Sequence, residues 1–499
     1  MKRASKKRAP SPHYVSPQQL TLDCFRSPFE QNLNPENRWV VLAKLIPWDE
    51  VCGLYLKHVG VSSTGRPALS PRVIIGSMII KHMCNLDDRE AVDQISENIY
   101  MQYFLGYSTF SSEPPFDASL FVDFRKRLGM ETLNAINERI VALKTNLEDK
   151  KELRSSTSDD EDVEDKDANV NTNKNKGRII FDATACPQDI AYPTDLNLLS
   201  EAREKAEELI DHLYDANRHA NKPRTYRQIA RKRYLQTAQK RNKSRKEIRK
   251  AVGSQLRFLR RDLNSIDQLL DTYSHIPLTR KQHKYLLVIR ALYDQQKQMY
   301  TTHTHSVEDR IVSIHQPHVR PIVRGKAQAK VEFGAKIHVS VIDGICFLDE
   351  LQWNAFNEGS HMMSYVEQYY KRFKCYPKEL LADKIYCTRT NRAALKELGI
   401  RLIAKPLGRP PAVSIHVSPG ERNPIEGKFG QAKTGYGLNR IKARLKDTSE
   451  PWIASIILVL NLVKLAGVAL PCLILKLRLS FSAMSNLVWL SPNVSHTRN

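Results

Sequence analysis

Residues 178–184 read Arg-Ile-Ile-Phe-Asp-Ala-Thr. Consecutive large apolar residues, two of them β-branched, predict a short buried strand with Asp182 at its C-terminal end. An acid in such a place is ordinarily a cap or an ion-pair partner. Two further stretches change that reading. Asp383 closes a second strand-like run, Glu379 to Ala382, and the segment GERNPIEGKFGQAK from Gly420 to Lys433 sets Arg422, Glu426 and Lys433 in the spacing R-x3-E-x6-K. Three carboxylates, Asp182, Asp383 and Glu426, can hold two hard divalent cations that activate a water or hydroxyl and stabilise the leaving oxygen of an in-line displacement. Arg422 adds a planar fork for an anionic substrate, and Lys433 a point charge. The pattern points to metal-dependent chemistry on a phosphodiester. Asp189, Asp195, Asp343 and Glu421 are competing acids, although Asp343 belongs to a turn and Glu421 sits off the Arg/Lys register.

Working outward, Tyr192-Pro193-Thr194-Asp195 reads as a turn and Leu196 to Tyr214 as a helix. Residues 218–261 then carry 17 Lys or Arg against one acid, Glu247. With only Pro223 and Gly253 as breakers, the segment predicts long helices continuing through Asp262 to Tyr300, turned at Pro277. A solvated helix face mixes charge signs to avoid self-repulsion; a run this one-sided fits contact with phosphate. The phosphate-facing candidates are Arg231, Lys232, Arg233, Arg245, Lys246, Arg249 and Lys250. Past Val331 the period changes to that of strands, with a hairpin signal at Asp343-Gly344. Helix (Gly359 to Phe373), strand ending at Asp383, helix (Asn391 to Leu398), strand (Arg401 to Ala404), a Pro/Gly-rich loop and a final helical region follow.

Upstream, residues 11–147 read as mainly helical: Ser70-Pro71 opens one helix, Asp117 another that carries the basic cluster Arg125, Lys126 and Arg127. Helices with such basic turns suit docking on DNA, or are merely solvated ends. Ten acids and four bases between Glu148 and Asp167, followed by a polar tract, predict a linker and a domain boundary over 148–177. Net charge is +23, which favours an acidic polymer as partner, nucleic acid before a membrane surface. The eight cysteines form no C-x-x-C pair, arguing against a zinc ribbon or disulfide framework and for a reducing cytosol. The basic first ten residues lack an apolar segment after them and suit a phosphate-binding arm. His303, His305, His315 and His318 suggest zinc only weakly, because no cysteine spacing supports it. Trp452 to Leu475 is apolar and long enough to span a bilayer, but Asn461, Lys464 and Pro471 favour a buried core helix.

The order of strands and helices resembles the ribonuclease H-like catalytic domain of DDE transposases. More specifically, Asp182-Ala-Thr, Tyr192-Pro-Thr-Asp195, HQPHVRPIVRGKAQAKVEFGAK from His315 to Lys336, Ala382-Asp-Lys-Ile-Tyr386, FRKRL from Phe124 to Leu128, and R-x3-E-x6-K resemble bacterial insertion-sequence transposases over nearly the full chain. One position departs: Pro419 stands where the family pattern often has Tyr. The resemblance implies an α/β ribonuclease H-like core, a mixed sheet flanked by helices, with an all-helical N-terminal domain and a basic helical insertion. The expected division is an N-terminal DNA-binding domain over 1–147, a linker over 148–177, a catalytic domain over 178–470 interrupted by an insertion over 196–310, and a tail over 471–499. It also implies Asp182, Asp383 and Glu426 as the metal-binding triad, two Mg2+ ions per site with Mn2+ as a substitute, and Arg422 and Lys433 on transposon-end phosphates. The expected activity is cleavage at terminal inverted repeats and joining of the 3′-hydroxyl to target DNA, by a homodimer on double-stranded DNA, in the cytoplasm at the nucleoid. Two other readings stay open: a transposase-derived DNA-binding protein without catalysis, and a sequence-independent nuclease of the same fold.

Overall fold

The computed structural model describes residues 33–60, 69–155, 175–323, 331–404 and 419–467, with backbone alone over 143–155. The expected basic arm, most of the acidic linker, the loop after Pro406 and the tail from 471 lie outside the described residues.

Helices come first: α1 (Arg38–Leu45), α2 (Trp48–Val59), α3 (Pro71–Met83), α4 (Asp88–Glu97), α5 (Ile99–Leu105) and α6 (Leu120–Ser155), the last broken at Gly129. Strand β1 (Arg178–Pro187) follows, then α7 (Asp195–Leu213), α8 (Arg227–Ala238), α9 (Arg245–Leu270) and α10 (Arg280–Thr302). The remainder alternates: β2 (Arg320–Val323), β3 (Val331–Ile342), β4 (Ile345–Gln352), α11 (Met362–Phe373), β5 (Glu379–Leu381), α12 (Arg389–Glu397), β6 (Arg401–Ile403), α13 (Asn423–Gly435) and α14 (Lys446–Ala466).

The strands form one mixed sheet ordered β2-β3-β1-β5-β6, with β4 also paired to β3. β1 runs antiparallel to β3 and parallel to β5. It lies in the middle of the sheet and is buried on both faces, which is why its sequence is a continuous apolar run instead of an alternating one. Ile179 and Phe181 face the core under α11 and α12, while Ile180 and Cys186 face a second core. The β3–β4 hairpin turns at Asp343 (φ 50) and Gly344 (φ 80), the paired left-handed residues that such a two-residue turn requires. β1 and β3 approach so closely that a Cβ on Gly334 would stand 2.0 Å from the Cys186 carbonyl oxygen. β2 was not expected from sequence; with Pro321 and few residues it is a short edge strand, carrying little periodic signal.

That second core is shared by the sheet and the N-terminal helices. Its centre is α14, which packs on α3, α6 and β4. Long and apolar enough to cross a membrane, α14 has 78% of its apolar window buried inside the protein, so it is a core helix here. Asn461, one of the residues weighing against a span, donates to Asn137 Oδ1 at 2.8 Å and to the Cys346 carbonyl at 2.7 Å, and accepts from the Cys346 amide at 2.8 Å. A buried amide thus ties α14 to α6 and β4 with its polar groups satisfied.

The helices between β1 and β2 have a core of their own, including Leu199, Ile210, Leu259, Ile266 and Ile289. Gly253 does not break α9, contrary to expectation. A Cβ there would meet the Tyr300 hydroxyl at 2.6 Å, so this glycine serves close packing of α9 against α10. The interruption falls instead over residues 239–244, where Ser244 and Glu247 close a capping box that starts α9.

Candidate active site

The parallel pairing of β1 with β5 sets Ile180 opposite Leu381. Two residues beyond each of these come Asp182 and Asp383, so neighbouring strands deliver two carboxylates at one level. Between them lies Arg422. Its Nη2 stands 3.1 Å from Asp182 Oδ2 and its Nη1 3.5 Å from Asp383 Oδ1. The short turn Pro419–Arg422 delivers this side chain, and Pro424 in the first turn of α13 fixes where the helix begins. The position that departs from the family pattern, Pro419, opens that turn.

Both carboxylates are further pinned by the backbone. The Ala183 amide donates to Asp182 Oδ1 and the Lys384 amide to Asp383 Oδ1, each at 2.8 Å. A cavity of about 470 Å³ opens beside them, lined also by Lys336, Glu358 and Tyr386. Burial pushes the Asp182 carboxyl above the ordinary carboxylate range; Arg422 opposes the rise, and Asp383 and Glu358 add to it. Lys336 and Glu358 pair at 2.7 Å and largely cancel. What remains is two carboxylates around one guanidinium, with the exposed Lys384 as a further cation on the cavity wall.

That donor set fits a divalent cation. Hard, oxygen-only ligands from rigid strand ends are what Mg2+ accepts, and the guanidinium already marks the position between them as one for positive charge. Glu426 is not gathered into this set: among the described residues no three His, Cys, Asp or Glu side chains stand close enough to hold one ion. It lies in the first turn of α13, exposed, while the helix packs across β1 and β3. Helical geometry nevertheless puts Arg422, Glu426 and Lys433 on one face, at about 100° per residue.

The other expected site residues divide. Arg125 is a correction: it is 3% exposed and its guanidinium is held by both Asp88 oxygens, at 3.0 and 2.8 Å, so it cannot reach a phosphate in the folded chain. The sequence showed three adjacent cations, but helical phase turns Arg125 into the core and leaves Lys126 and Arg127 exposed. Arg231, Lys232, Arg233, Arg245, Lys246 and Lys250 are exposed on α8 and α9. Arg249 is half-buried, over the Tyr300 ring at 4.2 Å and 3.1 Å from His303. The competing acids have structural partners: Asp189 pairs with Arg440, Asp195 with Arg310 and Glu421 with Arg178. His318 packs on Trp353, and burial lowers its pKa to about 4. Lys336 and Glu358 are cavity residues that sequence reasoning missed. A lysine within one strand and a glutamate opening the short 3-10 helix Glu358–His361 carry no spacing that would have joined them.

A middle strand bearing one aspartate, a parallel neighbour bearing a second, and an arginine from the turn before α13 make up one cluster at the edge of a cavity. Comparison with known proteins narrows it. The family described as Transposase domain (DUF772) matches residues 27–127, and the one described as Transposase DDE domain matches residues 380–463. The uncharacterized protein ORF8 in the nfe locus of Rhizobium meliloti is 33% identical over 183 residues, 36% of this chain and 76% of that protein. No solved structure matches significantly. The chain belongs to the insertion-sequence DDE transposases. Its mixed, helix-flanked sheet is compatible with the ribonuclease H-like architecture that a DDE domain implies, and the family's chemistry uses divalent metal ions.

Proposed function

We propose that this protein is an active DNA transposase that binds the terminal inverted repeats of its own element, cleaves the ends and joins the 3′-hydroxyl to target DNA. The observation that carries this reading is the convergence of Asp182 and Asp383 on Arg422 at the edge of an open cavity. Bound at the two aspartates, with Glu426 completing the set, Mg2+ ions would activate the attacking oxygen and stabilise the leaving one. The chain's own residues do the rest. Backbone amides hold the two aspartates in place, so these two ligands need no reorientation, and Glu426 is the one that has to approach when substrate arrives. Arg422 and Lys433 share a helix face with Glu426 and grip the strand being cut. Exposed cations on α8 and α9, with Lys126 and Arg127, track the phosphate backbone outside the cavity; Arg125 is not among them. Two protomers on the DNA, one per end, follow from the need to join both ends at one target, and the work belongs in the cytoplasm at the nucleoid.

End cleavage and strand transfer on oligonucleotides carrying the inverted repeats that flank the coding region test the reading. Asp182→Ala, Asp383→Ala and Glu426→Ala should each abolish both steps while end binding persists, and chelation should do the same. Retained Mg2+-dependent cleavage by Asp383→Ala would remove the site assignment. Ends bound but never cut by the wild type would make this a binding protein, and random duplex cut as fast as ends would make it a general nuclease.

A further inference from the structure

Arg422 meets the two aspartates at the oxygens that a cation would need. Asp182 accepts the Ala183 amide at Oδ1, which leaves Oδ2 as its free oxygen, and this is the oxygen Arg422 approaches to 3.1 Å. On Asp383 the Lys384 amide and the guanidinium converge on Oδ1. A small divalent cation shared by both carboxylates takes oxygens at about 2.0–2.1 Å, so it requires the Asp182 oxygen that the guanidinium covers. Like charges so close in a partly buried place repel strongly, and the two cannot share it.

Arg422 is also a loosely held occupant. Its contacts, at 3.1 and 3.5 Å, are longer than the 3.0 and 2.8 Å fork of Arg125 on Asp88, and its buried Nε has no hydrogen-bond partner. An arginine serving only as a brace fills its donors and closes both prongs on one carboxylate. Arg422 instead spans two carboxylates from the end of a short turn, Pro419–Arg422, and not from a strand of the sheet. We infer that Arg422 and a divalent cation are alternative occupants of the Asp182–Asp383 pair, and that Arg422, once displaced, turns to the phosphate of the strand to be cut. Loading the cation and gripping the DNA are then one exchange. The inference rests on the transposase reading above.

Mn2+ binding to the full-length protein without DNA tests it, read as loss of the free ion's electron paramagnetic resonance signal. Sites that survive in an Asp182→Asn/Asp383→Asn double variant belong elsewhere and are subtracted. At the remaining site Arg422→Gln should bind Mn2+ at least about tenfold more tightly than wild type, the scale of one adjacent charge. Arg422→Lys keeps the charge without the fork that spans both carboxylates, and should fall between the two. Lys384→Gln removes an equal charge from the cavity wall but leaves Arg422 where it is; because an exposed charge is screened, it should change the affinity by no more than about threefold. A second arm adds Ca2+, which takes the same oxygen ligands, to an element-end duplex. The ion should tighten wild-type binding more than that of Arg422→Gln, since only the wild type has a displaced guanidinium to offer; equal gains would remove the transfer to phosphate. If Arg422→Gln binds Mn2+ as the wild type does, or Lys384→Gln gains as much, Arg422 does not stand in the ion's place and the transposase reading survives. If the double variant loses no Mn2+ site, the metal assignment at the two aspartates falls and this inference with it.

Discussion

Carboxylates meet cations in two very different ways in this molecule. At the junction of α3, α4 and α6, Asp88 accepts from Arg125 and lies 3.1 Å from Lys81, whose ammonium and the Arg125 guanidinium both sit over the Trp452 ring of α14, at 4.4 and 5.3 Å. At the ends of β1 and β5 the count is reversed, with two carboxylates to one guanidinium and open space beside them. The first cluster places its extra positive charge on an aromatic face and is closed. The second leaves its two carboxylates beside open space, with Lys384 as a further cation on the wall. Carboxylates left facing a cavity, and not the mere presence of an ion pair, separate a site from a brace.

The sharpest break of that comparison is to neutralise one aspartate of the open cluster. Asp383→Asn should eliminate end cleavage yet leave thermal stability within about 0.5 kcal/mol of wild type, the usual range for a surface change away from packing. Asp182→Asn should also eliminate cleavage and should unfold no more easily than wild type. The sign follows from its raised pKa: the folded state holds that proton more tightly than the unfolded chain, so the ionised carboxylate costs stability above its folded pKa, and an uncharged amide does not. Thermal melts beside single-turnover assays check both. An aspartate variant that lost stability and activity together would make this cluster a brace as well.

Asp88→Ala should do the opposite. Burial works against the Asp88 charge, but hydrogen bonds and attraction from Arg125 and Lys81 outweigh it and hold its pKa below the ordinary value. Removing it strands two buried cations, for which about 3–5 kcal/mol is the expected loss. Its folded pKa is depressed, so the stabilisation is present above the unfolded-state pKa and disappears as pH falls through the folded one. Denaturant melts of wild type and variant at neutral and acid pH should therefore converge toward the acid side. A wild-type-like melt at neutral pH would show that Trp452 alone holds the cations.

How much of this was legible in the sequence depended on whether the signal was local. The strand carrying Asp182 and the Asp343-Gly344 hairpin are local patterns that place the sheet, and of the R-x3-E-x6-K residues Arg422 reaches the two aspartates while Glu426 does not. That Asp182 and Asp383 stand side by side is set by a parallel pairing between strands far apart in the chain, which no spacing encodes. Arg125 misled because a run of like charges says nothing about helical phase, and Gly253 because a glycine required by Tyr300 looks the same in sequence as a glycine that ends a helix. Glu358 and Lys336 are joined only by folding.

A smaller effect is expected where the comparison is extended to the basic insertion. Exposed Arg245, Lys246 and Lys250 on α9 have no buried role, so replacing all three with Gln should leave the melt unchanged and make log affinity depend less steeply on log salt, by about 0.9 for each phosphate that is no longer neutralised. Binding isotherms across a salt series measure it. An unchanged slope would make this face of α9 solvated surface.

The last effect concerns Asp262, buried in the insertion beside Glu207 and Arg203. Burial first, and the neighbouring Glu207 second, push its carboxyl up to about 7, and its Oδ2 has no hydrogen-bond partner. An unfolded-chain carboxyl titrates near the ordinary value of 3.8, so between that pH and about 7 the folded insertion holds a proton that the unfolded one has released. Stability therefore falls as pH rises across that window and levels off above it. Asp262→Asn removes the titration, and the variant should match the wild type near pH 4 and exceed it at pH 8. Amide hydrogen exchange of α7 and α9 at the two pH values reads this in the intact chain. Equal protection of wild type and variant at pH 8 would mean that Arg203 compensates the ionised carboxylate in full, and that this cluster belongs with the closed brace at Asp88 instead of the open pair at Asp182.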